Sequence, residues 1–249
     1  MFKNKKVNFA LSIILKVLII VFCLTGVIAG AYSDTFMSQK QFLYFTIQSN
    51  VCIALISFVF LILEIIKFKK PEFTIPNYMY IIKYIFTVAI TLTFIVFSII
   101  LTPTMIVKGH GWYLSTIENV CLHNLVPIFA ILDYCLFNFH FMIKKSTFVW
   151  GLAMPLYYLI FVSSLIFAGT DFGDGAKAPY FFLDFKTNSW FNIVNGQLGT
   201  FYWIIIIAVF VLLISLLLLW IKLLISKKVR WRKNVKKTFI ELKETDDNG

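Results

Sequence analysis

The sequence predicts an all-α, polytopic membrane protein with six transmembrane helices and both termini in the cytoplasm. Three observations carry that expectation. The 249 residues are 60% hydrophobic and only 14% charged, with a mean hydropathy of +0.86, far from the balance of a soluble domain. The apolar residues gather into six runs, roughly 9–31, 43–66, 79–102, 119–142, 148–168 and 198–225, each near the ~20 residues that cross the hydrocarbon as a helix. Lysine and arginine also alternate between the connections, seventeen on the side of the termini and four on the other, and the richer side is the cytoplasmic one.

The first run follows Lys3, Lys5 and Lys6 and ends in Ala29-Gly30-Ala31. That tripeptide imitates a signal-peptidase site, but the apolar stretch exceeds the 7–15 residues of a signal core, so the helix is expected to stay uncleaved. Gly26 and Gly30 make a G-x-x-x-G spacing that lets another helix approach. The second run opens with FLYFTIQSN, residues 42–50. Glu64 and Lys83 sit near the cytoplasmic ends of the second and third helices, placed to pair or to reach the interface. Pro127 and Pro155 fall inside the fourth and fifth runs, where each removes a backbone hydrogen bond and is expected to bend its helix.

Two outer connections differ in size. Residues 103–118 carry His110, Trp112 and Tyr113, and residues 169–197 carry Asp171, Asp174, Tyr180, Asp184 and Trp190. Their aromatic residues suit the membrane interface, and the longer connection reads as a lid. Asp171–Gly175, DFGDG, lacks the further acidic ligands of a calcium loop and reads as a solvated turn. The chain thus divides into a six-helix domain, 1–226, and a basic-then-acidic cytoplasmic tail, 227–249, expected to be disordered.

The formal charge of +11 does not indicate nucleic acid, because the basic residues flank apolar runs. A soluble module has no room, since no connection is long enough to build a core. Cys23, Cys52, Cys121 and Cys135 lack metal-like spacing, as do His110, His123 and His140. Neither a metal nor an organic cofactor is expected. The bias to lysine, isoleucine, phenylalanine and asparagine suggests an AT-rich bacterial genome, hence a bacterial plasma membrane.

Polar side chains at membrane depth are costly unless partnered, which singles out the second and fourth helices. Thr46, Ser49 and Asn50 follow an i, i+3, i+4 spacing and share a face; Asn119 and His123 share another. Both helices enter from the outer side. Thr46 and His123 lie a few residues below their starts, hence at one depth of roughly 5–6 Å at 1.5 Å per residue. A threonine hydroxyl becomes a nucleophile when a neutral imidazole takes its proton. Gln48, Ser49, Asn50 or Asn119 could donate to an oxyanion or orient the imidazole, and Glu118, Asp184 and Asp133 are candidates for an acidic third member. The same residues also suit helix-to-helix hydrogen bonding, and chemistry alone leaves both readings open.

Six spans, FLYFTIQSN opening the second, ENVCLHNLVPIFAILDY in the fourth, PLYYLIF in the fifth and APYFFLDF before the sixth together resemble the androgen-induced-protein-like membrane family, in particular its bacterial six-helix branch. The resemblance covers nearly the whole chain. It implies an intramembrane threonine hydrolase of fatty acid esters of hydroxy fatty acids, with Thr46 and His123 at the positions of the essential threonine and histidine. Membrane lipids and a lipid ester are then the expected partners. The rival expectation is a non-enzymatic membrane protein, a transporter of a small or lipidic solute or a scaffold, with Glu64, Lys83 and Asp133 as its charged features.

Overall fold

The computed structural model describes residues 5–32, 40–107, 109–137, 141–173, 175–194 and 197–246, with side chains through Lys227 apart from those of Lys145, Val194 and Gln197. Six helices are long and apolar enough to cross a membrane: α1 (Lys5–Tyr32), α2 (Phe45–Lys69), α3 (Asn77–Val107), α4 (Ile117–Leu136), α5 (Ser146–Phe167) and α6 (Thr200–Lys227). Their Ile, Val and Phe content would make poor helices in water. In a bilayer, however, the backbone must satisfy its own hydrogen bonds, and the helix does so within one segment. An even number of spans puts both termini on one side. Exposed Ile14, Val21 and Ile28 on α1 and Val209, Leu213 and Leu217 on α6 give the bundle its lipid-facing surface.

α3 is the hub, packing against α2, α4, α5 and α6, while α1 packs on α2 and α4. Gly26 makes the second approach possible: a Cβ there would lie 2.6 Å from the Leu122 side chain. The G-x-x-x-G therefore serves packing within the chain.

Several boundaries differ from expectation for local reasons. α4 ends at Leu136, short of 142, because Phe137 turns extended (φ −128°, ψ −178°). Buried Lys222 of α6 donates to the Tyr134 carbonyl at 2.5 Å and to the Phe137 carbonyl, satisfying groups that a helix end leaves open. α3 runs on to Val107, past the expected 102, by way of a π turn at Phe97–Leu101. Pro155 does not kink a helix interior. A 3-10 segment, Lys145–Leu152, leads into α-helix from Ala153, so Pro155 occupies the first α turn, where a missing N–H costs little.

α6 continues as helical backbone to Asp246, where a disordered tail is expected from the sequence. The one departure from all-α architecture among the described residues is a two-residue antiparallel ladder, Ile193–Val194 with Gln197–Leu198.

The long connection is packed onto the bundle. Phe172, Phe182 and Leu183 are buried, and the Tyr44 hydroxyl donates to the Phe172 carbonyl at 2.9 Å. Asp171 closes a turn by accepting from the Gly173 N–H at 3.0 Å and pairs with Lys40 at 2.7 Å. The hydrogen bond from Lys40 holds its carboxyl below the usual carboxylate range. Asp174 and His140 lie outside the described residues.

Candidate functional site

The site begins with a repeated piece of local grammar. Phe97–Leu101 and Cys121–Leu125 are both π turns, and in each case a proline stands six residues after the first member, Pro103 and Pro127. In each turn an N–H reaches back five residues, Thr102 to the Phe97 carbonyl and Val126 to the Cys121 carbonyl. The proline explains the second turn's consequence. The Leu122 carbonyl loses Val126 to Cys121, and the next residue able to serve it, Pro127, has no N–H. Asn50 of α2 fills the vacancy, its Nδ2 donating to the Leu122 carbonyl at 3.0 Å and to the Thr46 carbonyl at 2.8 Å.

This bolt brings the two polar faces together. Thr46 Oγ1 lies 3.4 Å from His123 Nε2. Thr46 is the second residue of α2 and His123 the seventh of α4, so the helices start at different depths and the pair still meets. The two π turns also touch, with the Phe97 ring stacked on the His123 ring at a centroid distance of 3.8 Å and 23° between planes. That contact fixes the imidazole plane. The Nδ1 edge faces the Asn119 carbonyl one turn earlier without reaching hydrogen-bond geometry. A proton on Nδ1 would leave Nε2 as the acceptor for the threonine hydroxyl.

The other expected residues divide by what they already hold. Both amide protons of Asn50 are committed to backbone carbonyls, so it is a bolt and not an oxyanion donor. The Ser49 hydroxyl bonds the Thr46 carbonyl at 3.0 Å and Thr93 Oγ1 at 2.8 Å, tying α2 to α3. Gln48 Nε2 donates to the Phe42 carbonyl at 2.9 Å, and Asn119 Nδ2 to the Tyr113 carbonyl at 3.0 Å. None of the acidic candidates is bonded to His123. Buried Glu118 accepts from the Tyr113 phenol, which burial and that carboxylate push up. Asp184 caps a short helix through the Thr187 N–H at 3.1 Å. Asp133 is held by Lys16 at 2.7 Å and Lys83 at 2.5 Å.

Those last contacts also reassign the pairing expected for Glu64 and Lys83. Glu64 accepts from Ser12 at 2.7 Å and pairs with Lys16 at 3.1 Å, while Lys83 goes to Asp133. Among the described residues no three His, Cys, Asp or Glu side chains gather in a way that could hold a metal ion.

Beside Thr46 opens an apolar cavity of about 110 Å³. Its walls include Leu92, Val96 and Phe97 of α3, Leu156 of α5 and Ile207 of α6, and its polar groups are Thr46, Thr93, Tyr158 and Tyr180. Tyr180 is the residue that sequence reasoning treated only as interfacial. Its hydroxyl approaches the Thr46 side chain and the backbone N–H groups of Phe45 and Thr46, the open donors of the first turn of α2. Phe97 was missed as well; the shared spacing to a following proline was its signal.

Fold and site together define a multi-pass membrane protein with a threonine–histidine pair whose threonine lines an apolar cavity. Compared with protein-family models, curated proteins and solved structures, the chain matches none.

Proposed function

We propose that the protein is an intramembrane hydrolase of lipid esters, of the kind that the family resemblance implies, with Thr46 as nucleophile and His123 as base. The observation that carries this reading is the 3.4 Å approach of Thr46 Oγ1 to His123 Nε2 at the edge of an apolar cavity. Attack forms the bond from Thr46 Oγ1 to the ester carbon while His123 Nε2 takes the hydroxyl proton. Collapse breaks the bond to the alkoxy oxygen, which receives that proton and leaves as an alcohol. Water then attacks the acyl-threonine with His123 again as base, and the acid and free Thr46 result. The cavity takes the acyl chain from the lipid side, with the carbonyl stopping at Thr46. A separation of 3.4 Å is long for a hydrogen bond, but contacts of this kind tighten when substrate binds.

The test uses the purified full chain in detergent, labelled with a fluorophosphonate and assayed for hydrolysis of a long-chain acyl ester. Thr46→Ala and His123→Ala are expected to lose both signals while remaining folded; retention of both by Thr46→Ala overturns the reading.

The charged cluster within the bundle favours the alternative of a solute transporter, since ionisable groups inside spans often mark a path. Here each carboxylate has a lysine partner, an arrangement better suited to a lock than to a carrier. Asp133-dependent solute uptake in proteoliposomes, with Thr46 and His123 freely replaceable, would establish the transporter instead.

A further inference from the structure

The threonine–histidine pair accounts for the nucleophile and its base, but leaves the charge that develops on the ester oxygen without a donor. The amides expected to supply one are engaged: both Asn50 protons go to carbonyls, and Gln48 donates to Phe42 outside the cavity. Three tyrosines crowd the start of α2. Tyr180 packs edge-on to Tyr44 at 5.9 Å and against Tyr158 at 6.4 Å, and stacks on Phe182 at 5.2 Å. Two of the three hydroxyls serve the backbone, Tyr44 donating to Phe172 and Tyr158 to the Leu43 carbonyl at 3.0 Å. The third, that of Tyr180, lies beside Thr46, and its side chain lines the cavity.

We propose that Tyr180 is a third catalytic residue, whose phenol donates a hydrogen bond to the ester oxygen as Thr46 attacks. This rests on the hydrolase reading and adds the group that stabilises the tetrahedral intermediate. As the Thr46 oxygen bonds to the carbonyl carbon, the π pair moves to the carbonyl oxygen, which then accepts from the Tyr180 O–H. When the alkoxy group leaves, that pair reforms the carbonyl and the phenol keeps its proton. Two features suit the phenol to the task. The N–H groups at the start of α2 point toward the phenol oxygen and polarise its O–H bond. Burial also pushes the phenol up from its ordinary value, so it carries its proton at neutral pH.

The position of Tyr180 follows from the lid. Tyr180 begins the segment that buries Phe182 and Leu183, and its ring is wedged between tyrosines whose own hydroxyls are tied to the backbone. A donor held by packing keeps its aim while water is excluded, which is what makes such a hydrogen bond effective in the transition state.

The experiment compares wild type, Tyr180→Phe and, as a control outside the cavity, Tyr157→Phe, whose ring is exposed on α5, in detergent with the 4-nitrophenyl ester of a long-chain fatty acid. Tyr180→Phe is expected to lower kcat about a hundredfold with KM unchanged; Tyr157→Phe keeps the wild-type kcat. A wild-type kcat in Tyr180→Phe, or a change in KM alone, overturns the role of Tyr180 while leaving the hydrolase standing. Absence of hydrolysis and of Thr46-dependent labelling in wild type overturns both. If Tyr180→Phe does not fold, 3,5-difluorotyrosine at position 180 gives the answer. Its more acidic phenol should move the alkaline fall of kcat to lower pH, and an unmoved profile overturns the proposal.

Discussion

The two ends of the bundle treat buried polarity in opposite ways. In the half nearer the termini, Lys16, Glu64, Lys83 and Asp133 form a balanced set of two positive and two negative charges, and Lys222 rests on the carbonyls ending α4. Each of these charges has a partner; the Tyr134 hydroxyl beside them has none among the described residues. At the opposite mouth the buried polar side chains among the described residues are neutral apart from Glu118, and several polar atoms are left open. Gln41 Oε1, Gln48 Oε1, Asn50 Oδ1, Asn119 Oδ1 and His123 Nδ1 are buried without a hydrogen-bond partner among the described residues. An unpaired charge in the hydrocarbon costs too much to keep, whereas an unpaired neutral dipole costs less. The contrast separates a lock from the proposed working surface.

The strongest way to break that comparison is Asp133→Ala, which removes the carboxylate that Lys16 and Lys83 share inside the bundle. Loss of one partner from a buried ion set costs about 3–5 kcal/mol, to be read from unfolding in detergent micelles. Wild-type stability in this variant would mean that the cluster is not a lock. Asn50→Ala comes next. It leaves the Leu122 carbonyl open at the π turn, for about 1–3 kcal/mol, and should also reduce hydrolysis by loosening α4 against α2. Unchanged hydrolysis would detach the π turn from the site.

The smallest effect belongs to Lys40→Ala, because the pair with Asp171 is partly exposed, at 36% and 50% of the two side chains. Its unfolding midpoint should match wild type, while hydrogen exchange at the Gly173 and Ala176 amides rises. The sign with pH follows from the depressed carboxyl of Asp171. The pair is intact above the ordinary carboxylate range and is lost as pH falls through the lowered value. Protection of these amides, relative to their intrinsic exchange, should therefore fall in acid, and in Lys40→Ala it should fall at a higher pH than in wild type.

Much of the architecture could be read without coordinates, since periodic signals are not needed where whole segments are apolar. Six spans and their order follow from hydropathy, and helical spacing placed Thr46 and His123 on polar faces that could meet without deciding that they do. The ends were less legible. That α4 stops at Leu136 depends on Lys222, eighty-eight residues from Tyr134 in sequence, and no local pattern announces such a partner. Pro155 reads as a kink in sequence and proves to be a first-turn proline, because the preceding 3-10 segment cannot be distinguished from α-helix by composition. Asn50 and Ser49 read as possible donors to substrate, and are found bound to backbone carbonyls, with the Ser49 hydroxyl also bonded to that of Thr93.

What the sequence determined by itself was the solvent of each segment. Long apolar runs demand a bilayer, and a bilayer demands helices, since no water is present to satisfy an open backbone. It also determined the chemical stock at the mouth, one threonine hydroxyl and one imidazole at compatible depth. Tertiary structure alone decided what that stock could do. A π turn rotates the residues after it relative to an α-helix, and Pro127 makes the displaced carbonyl available to Asn50 on another helix. The resulting 3.4 Å separation, the Phe97 stack and the aim of Tyr180 all depend on contacts between segments far apart in the chain. Hydropathy carries no information about such contacts, because it records how much each residue avoids water and not which neighbour it meets.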